Sequence, residues 1–362
     1  MSLAIESINN LRREKFIVEN KTYKYTETLE LESGEKIDGL QIAYSTSGKL
    51  NADKSNVLWV CHALTANSEA ETWWCGLVGE GSLFDPSKYF IVCANILGSC
   101  YGTTGPGEIN PATGKPYYLR FPQITIRDMV AVHEVLRAHL GIDKIHTCIG
   151  GSLGGQQAME WAIINPTLIS NLILLATNAF HSPWGIAFNE SQRLAIKADP
   201  TWGEDIPEAG REGLKAARAI ALLSYRNYNT YLEKQSEGDV NKLDDYRASS
   251  YQNYQGEKLV NRFNSHSYWY LSKAMDSHNV GRGRGTVQKA LESIRSKTLL
   301  IGIKSDLLFP VSEQVFLSKN IPGSVYKEID SLFGHDGFLI ETGKITQLIK
   351  GFFEVTRAKI PY

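Results

Sequence analysis

The sequence predicts an α/β protein built on a mostly parallel sheet. Five short runs are almost continuously apolar, which is typical of strands covered on both faces, and they occupy residues 56–64, 89–97, 144–151, 171–178 and 297–306. Segments with apolar residues three and four positions apart, typical of helices, lie between several of these runs. This alternation of strand and helix indicates an open α/β sheet.

The first element departs from this alternation. Residues 23–51 alternate polar and apolar side chains around a Gly-containing turn, which predicts an antiparallel pair at the sheet edge. Further along, helical periodicity covers residues 125–141 and 155–166 and stops at Gly141 and Pro166.

The strand signal disappears between residues 179 and 290. This stretch holds helix-like pieces such as "REGLKAARAIALLSYRNY", and loops of that length without structure are rare in compact domains. We expect an inserted helical lid domain at 179–290 and a core formed by 1–178 and 291–362. The "GRGRG" segment at 281–285 is interpreted as a flexible joint returning from the lid, with a phosphate or nucleic-acid contact as the alternative.

Composition excludes several classes of protein. The formal net charge is −1, which argues against binding to nucleic acid or to an anionic membrane. Five cysteines, an odd number, stand mostly in apolar stretches, so buried thiols and a cytoplasmic location are expected. No signal-peptide pattern, membrane span, metal-ligand spacing or cofactor motif is evident, and we expect no metal and no cofactor.

The stretch "IGGSLGG" places Ser152 at the centre of a G-x-S-x-G pattern, after a buried strand and before a helix. A strand that turns sharply into a helix holds its middle residue in a strained conformation, and this geometry presents a serine nucleophile at a helix N-terminus. A glycine-rich turn needed only for packing is the alternative. A phosphate-binding loop is disfavoured because no lysine follows.

A serine nucleophile needs a base and an orienting carboxylate, which follow it in the order Ser, Asp, His. Asp306 ends an apolar run, and His335 sits in the glycine-flanked loop "LFGHDGFL". His62 competes with His335, but it comes too early in the chain and is assigned a structural role. Turn-capping by Asp306 and a purely structural role for His335 are the alternatives.

Acyl transfer also requires two N–H donors for the developing oxyanion. The backbone N–H after the nucleophile belongs to Leu153, and the loop "HALTAN" after an earlier strand supplies the second, which we assign to Leu64.

Longer blocks carry a more specific signal. "VCHALTAN", "WWCGLVGEG", "YFIVCANILGSCYGTTGP", "FPQITIRDMV", "IGGSLGGQQAMEWA", "FNESQRLAI", "SYWYLSKAMD", "SDLLFP" and "GHDGFL" resemble the successive signature blocks of the homoserine O-acetyltransferases, from about residue 20 to 355. These are acyltransferases of methionine biosynthesis with the α/β-hydrolase fold. The resemblance implies that fold here, with a mostly parallel sheet and the inserted helical lid.

The resemblance implies a two-step transfer. Ser152 would take the acetyl group of acetyl-CoA as an acyl-serine, and L-homoserine would then receive it, with acyl-CoA as a co-substrate. By the same resemblance, Arg218 and Asp336 would hold the carboxylate and ammonium groups of the amino acid, although Arg193 and Arg226 lie near Arg218 in the sequence. A homodimer is implied as well, paired through lid helices at 214–232 and 265–275.

Several alternatives stay open. Relatives similar to this family use succinyl-CoA or accept L-serine, and the same fold and triad also hydrolyse esters. A non-catalytic protein that binds a ligand or partner through its lid is the remaining possibility. An intact set of Ser152, Asp306 and His335 argues against it.

Overall fold

The computed structural model describes residues 18–358 and is organised around one eight-stranded sheet. In chain order the strands are β1 (Glu19–Lys24), β2 (Gln41–Ser47), β3 (Val57–Cys61), β4 (Phe90–Ala94), β5 (Ile145–Gly151), β6 (Ile169–Leu175), β7 (Lys297–Ile303) and β8 (Val325–Ile329). They lie in the order β1-β2-β4-β3-β5-β6-β7-β8. Only the β1–β2 and β2–β4 pairs of this sheet are antiparallel, so the predicted mostly parallel sheet is confirmed.

The predicted strands and the edge pair are found. The five apolar runs form β3 to β7, and residues 23–51 contain all of β2 but only the last two residues of its antiparallel partner β1, which begins earlier than predicted. The turn between them carries a second small hairpin, Leu29–Glu30 with Lys36–Ile37. Strand β8 was not predicted, because its sequence, "VYKEI", is half-exposed at the opposite edge and lacks a continuous apolar run.

Helices flank both faces of the sheet. Their bounds are α1 (Ala70–Trp73), α2 (Ile126–His139), α3 (Leu153–Ile164), α4 (Pro183–Lys197), α5 (Arg211–Tyr225), α6 (Tyr228–Gln235), α7 (Arg247–Val260), α8 (Ser265–Asp276), α9 (Val287–Glu292), α10 (Val311–Asn320), α11 (Gly337–Ile340) and α12 (Thr342–Ala358). None of the helices within residues 18–358 is long and apolar enough to cross a membrane.

Both faces of the sheet are buried, which explains its continuous hydrophobicity. In β3, Trp59 joins the core under α2 and α3, where it meets Trp161 edge-on with ring centroids 4.9 Å apart. Its neighbour Leu58 joins the opposite core, together with Ile349 and Phe352 of α12. Successive side chains of a strand point to opposite faces, so a strand buried on both sides must be apolar throughout.

Helices α4 to α8 form an insertion between β6 and β7, which we call the helical insertion. Two backbone hydrogen bonds tie its two ends together: His181 N donates to His278 O and Val280 N donates to Ala179 O, both at 3.0 Å. The boundary predicted at residue 290 falls inside α9, so the division of the chain into 1–178 with 291–362 and 179–290 stays a prediction.

The "GRGRG" segment at 281–285 is not a flexible joint. Arg282 pairs with Glu32 at 2.8 Å, and Arg284 pairs with Glu160, whose side chain is 1% exposed. The arginines therefore bind the returning chain to carboxylates of the core, which local sequence gave no means of anticipating.

The cysteines are all free thiols. Cys61, Cys93 and Cys148 are buried, Cys100 is half-buried and Cys75 is exposed. The expectation of buried thiols therefore holds for three of the five.

Candidate active site

Ser152 occupies the sharp turn between β5 and α3. Its backbone has φ 56° and ψ −127°, a conformation that is unfavourable for any residue with a side chain. The side chain does not cap α3, and the residue is only 5% exposed. The structure therefore has the strained strand-to-helix turn that the G-x-S-x-G pattern predicts.

The flanking glycines allow two pieces of backbone to approach one another. A Cβ atom on Gly150 would collide with the backbone of Gly154, and a Cβ atom on Gly154 would collide with the carbonyl of Cys61. On the other side, a Cβ atom on Gly151 would run into the ring of Phe338. The glycines are thus required by close packing around the turn that holds Ser152.

Asp306 and His335 form a hydrogen-bonded pair at the carboxyl end of β7. Asp306 lies three residues after the strand, and its Oδ2 accepts a hydrogen bond from His335 Nδ1 at 2.7 Å. Its Oδ1 accepts hydrogen bonds from the backbone N–H groups of Leu308 and Phe309, both at 2.8 Å. The carboxylate is therefore fixed in orientation, and the Nε2 atom of His335 remains for proton transfer.

Aromatic rings hold the imidazole in place. The ring of Phe309 stacks on His335 with centroids 5.0 Å apart, and Phe338 contacts it edge-on at 5.3 Å. Tyr225 of α5 lies 5.8 Å away on the side of the helical insertion. This packing leaves His335 only 3% exposed.

The local charges favour the protonated form of His335. Burial acts to lower the pKa of His335, but the nearby carboxylates of Asp306, Asp336 and Glu313 and the hydrogen bond to Asp306 outweigh it, so the pKa is raised above its ordinary value. Burial raises the pKa of Glu313 itself to about 7. An imidazolium formed during a reaction would therefore be stabilised at this position.

A cavity of about 450 Å³ joins these groups to the helical insertion. Ser152, His335 and Phe338 line it from the core, and the loop of residues 63–67 after β3 lines it as well. The insertion contributes Arg218, Tyr225, Lys258 and Arg262. Its size is in the range of small-molecule sites, and the sequence patterns gave no sign of Lys258 or Arg262.

The structure places both expected oxyanion donors close to Ser152 and its cavity: Leu153 directly follows the serine, and Leu64 lines the cavity. Leu153 is the first residue of α3, where a backbone N–H has no partner within its own helix. Leu64 lies on the loop after β3 and lines the cavity. His62 supports this loop, because it is buried, its Nδ1 lies 2.9 Å from the carbonyl of Ala63 and its Nε2 accepts from the N–H of Ile96 at 3.1 Å.

That burial also decides the charge of His62. Loss of hydration lowers the pKa of His62 to about 4, so its imidazole is neutral near pH 7. This supports the structural role that the sequence suggested for it.

Arg218 and Asp336 line the same cavity. The guanidinium of Arg218 lies 5.4 Å from the centre of the Tyr225 ring, and its buried Nε has no hydrogen-bond partner among residues 18–358. Asp336 instead forms an ion pair with Arg226. The other nearby arginine, Arg193, pairs with carboxylates of α4 and α8 and does not line the cavity.

No group of three or more His, Cys, Asp or Glu side chains within residues 18–358 is arranged to hold a metal ion. Besides an amide and several further hydroxyls, the cavity lining contains the Ser152 hydroxyl, one imidazole, one carboxylate and three cations. These groups are suited to acyl transfer to a hydroxyl and to the binding of anionic or zwitterionic ligands.

Comparison with known proteins agrees with this geometry. Residues 56–342 match the family model of the alpha/beta hydrolase fold. The homoserine O-acetyltransferase of Cyclobacterium marinum is 54% identical over 327 residues, which cover 90% of this chain and 93% of the relative. The chain belongs to the homoserine O-acetyltransferase family. The family predicted from the motif blocks is thereby confirmed, and so is the α/β-hydrolase fold.

Solved structures place the family in a wider group. A homoserine O-acetyltransferase from Bacillus anthracis superimposes with a TM-score of 0.84 at 26% identity, covering 93% of this chain and 97% of that one. An acetylester hydrolase from Corynebacterium glutamicum superimposes with a TM-score of 0.82 at 25% identity, covering 93% and 96%. Transferases and hydrolases therefore share this architecture, and the contents of the site must separate them.

Proposed function

We propose that this protein is a homoserine O-acetyltransferase that moves an acetyl group from acetyl-CoA to L-homoserine, a step of methionine biosynthesis. The observation that carries the proposal is the content of one cavity. A serine on a strained turn and an Asp-paired histidine share it with an aspartate and with Arg218, which forms no ion pair with any carboxylate in the described part of the chain. Relatives of this name at up to 54% identity support it.

In the first half-reaction Ser152 attacks the thioester. His335 takes the hydroxyl proton while the Oγ atom bonds to the carbonyl carbon, and the N–H groups of Leu64 and Leu153 receive the oxyanion. The C–S bond then breaks, the proton passes from His335 to the departing sulfur, and free CoA leaves. Asp306 holds the imidazole in the tautomer that this sequence requires.

In the second half-reaction homoserine takes the acetyl group. Arg218 can bind the carboxylate of the amino acid with two hydrogen bonds, and Asp336 can accept its ammonium group. Arg226, paired with Asp336, holds that carboxylate in place. His335 takes the proton of the side-chain hydroxyl as it attacks, and returns it to Ser152 when the acyl-serine breaks.

An acyl-transfer matrix tests the proposal. Purified protein receives acetyl-CoA or succinyl-CoA with L-homoserine, L-serine or water alone, and the release of free CoA is followed. We expect the fastest release with acetyl-CoA and homoserine. Equal release with water and with homoserine would reject transfer in favour of hydrolysis, and faster release with succinyl-CoA or serine would reassign donor or acceptor.

Acetyl ester hydrolysis is a second candidate, favoured by the similarity to the acetylester hydrolase. Both reactions pass through the same acyl-serine, and only the acceptor differs. Arg218 and Asp336 favour the amino acid over water, because neither charge is needed for a neutral acetyl ester.

We also propose that the protein forms homodimers through its helical insertion. Leu223, Tyr228, Leu232 and Tyr254 of α5 to α7 are more than half exposed, which suits a contact surface. Helix α8 is mostly buried within the chain, so residues 265–275, unlike α5 to α7, are not part of the proposed contact surface.

We propose a cytoplasmic location as well, which the five free thiols support.

A further inference from the structure

The cavity runs from the buried serine to two exposed cations. Ser152 and His335 are almost fully buried, whereas Lys258 and Arg262, which line the same cavity, are exposed. The deep end therefore holds the groups for acyl transfer, and the cations stand where the cavity meets solvent.

The two cations at this mouth have no carboxylate partner in the part of the chain that the structure describes. Among residues 18–358, Lys258 and Arg262 form no ion pair, and the adjacent Glu257 pairs with Arg211 and Lys215 instead. Lys258 lies in the last turn of α7, where the partial negative charge of the helix end offsets only part of its full positive charge. Such an arrangement leaves positive charge available for an anion from solution.

Arg262 is held in position by the loop that carries the expected oxyanion donor. Its guanidinium donates to the carbonyl of Thr65 and, at 2.8 Å, to the hydroxyl of Tyr101. A guanidinium has five N–H donors, so donors remain for a ligand. Its conformation is thus fixed before the ligand arrives, which lowers the entropic cost of binding.

A second cavity, of about 390 Å³, begins on the other side of Arg262. It is lined by the start of α5 and the two residues Pro207 and Glu208 before it, by Cys100, and by residues 260–265 at the end of α7 and after it. A ligand reaching the serine through the first cavity can therefore extend past Arg262 into a second concave surface.

We propose that Lys258 and Arg262 bind the diphosphate of the acyl-CoA donor, with its nucleotide lying toward the second cavity. This inference rests on the proposed function. The thioester must reach Ser152 at the buried end, so the diphosphate, at the far end of the pantetheine arm, lies toward solvent. Phosphate oxygens are the ligands that a forked guanidinium and a lysine ammonium recognise.

The test compares two donors with the same thioester and pantetheine arm. Acetyl-CoA carries the phosphates and S-acetylpantetheine lacks them, and kcat/KM is measured for each with homoserine as acceptor. In the Lys258→Gln, Arg262→Gln double variant we expect the ratio of kcat/KM for acetyl-CoA to that for S-acetylpantetheine to fall at least about tenfold, the effect of losing a charge-assisted contact. The salt dependence of the acetyl-CoA reaction should also become shallower.

Two further variants sharpen the result. Lys273→Gln is the matched control, because Lys273 is also an exposed lysine in the last turn of a helix of the insertion but does not line the cavity; its ratio should stay at the wild-type value. Arg262→Lys should recover part of the ratio lost in Arg262→Gln.

The outcomes separate the two proposals. An unchanged ratio in the double variant would overturn the phosphate site while leaving acetyl transfer intact. Equal losses with both donors would assign Arg262 to support of the oxyanion loop and would also overturn it. Wild-type protein that transfers nothing from acetyl-CoA to homoserine would instead reject the proposed function.

Discussion

Replacing Asp306 by asparagine tests how the structure fixes the tautomer of His335. The N–H groups of Leu308 and Phe309 both donate to Oδ1, so the amide of an asparagine must turn its oxygen toward them. Its NH₂ group then faces His335 Nδ1 across the present 2.7 Å contact. Nδ1 must become the acceptor, which places the ring proton on Nε2, where it blocks removal of the serine proton.

The expected loss of activity in Asp306→Asn is large, although the side chain hardly changes in shape. The wrong tautomer in a Ser-His-Asp site lowers kcat about 10⁴-fold, equivalent to about 5 kcal/mol in the barrier. The assay is steady-state release of CoA from acetyl-CoA and homoserine, with urea unfolding as a check on the fold. Asp128→Asn is the matched control: Asp128 also accepts hydrogen bonds from backbone N–H groups, but it does not line the cavity.

The pH profile gives a second, independent readout. Despite the opposing effect of burial, the Asp306 carboxylate helps to raise the pKa of His335, and a base works only when neutral, so wild-type activity should fall as pH drops through that raised pKa. Without the carboxylate, the acidic limb of the residual activity should move to lower pH. If Asp306→Asn keeps activity within tenfold of wild type, or if the acidic limb of its pH profile stays at the wild-type pH, the reasoning is refuted.

Three more substitutions, one of them with a matched control, test the nucleophile, the amino-acid site and the packing of the serine turn. Ser152→Ala should abolish CoA release while the urea midpoint stays close to that of wild type; retained transfer would remove Ser152 as the nucleophile. Arg218→Ala should lower kcat/KM for homoserine roughly 10- to 100-fold while single-turnover CoA release persists, and an equal loss in both steps would place Arg218 outside the amino-acid site. Gly154→Ala should destabilise the protein by about 1–3 kcal/mol through the clash with Cys61, whereas Gly351→Ala, in open space within α12, should stabilise it by roughly 0.5–1 kcal/mol; equal urea midpoints for these two variants would contradict the packing argument.

The central strands were predictable because burial on two faces leaves no freedom in their composition. Every residue of β3 is buried, so its apolar run is unbroken. Strand β8 was missed because, at the sheet edge, it carries the exposed Lys327 and Glu328. What a sequence reveals about a strand thus depends on how completely the fold surrounds it.

The residues of the candidate site likewise differ in how far the sequence could predict them. Ser152, Asp306 and His335 each stand in a local pattern, because the turn, the strand end and the glycine-flanked loop constrain their neighbours. The ion pair of Arg226 with Asp336 joins residues 110 positions apart, and no local pattern encodes it. Lys258 was not predicted for the same reason. Exposed lysines are common in the last turn of a helix, and only the fold shows that this one lines the same cavity as Ser152.

Two backbone hydrogen bonds hold the two ends of the helical insertion side by side. Because Ala179 and His181 bond directly to Val280 and His278, the chain between them leaves and returns at one place in the fold, a few residues after the end of β6. Arg218, Lys258 and Arg262 lie inside that stretch of chain, whereas Ser152, Asp306 and His335 lie outside it. A change confined to the insertion could therefore alter which molecules fit the cavity while Ser152, Asp306 and His335 stay in place.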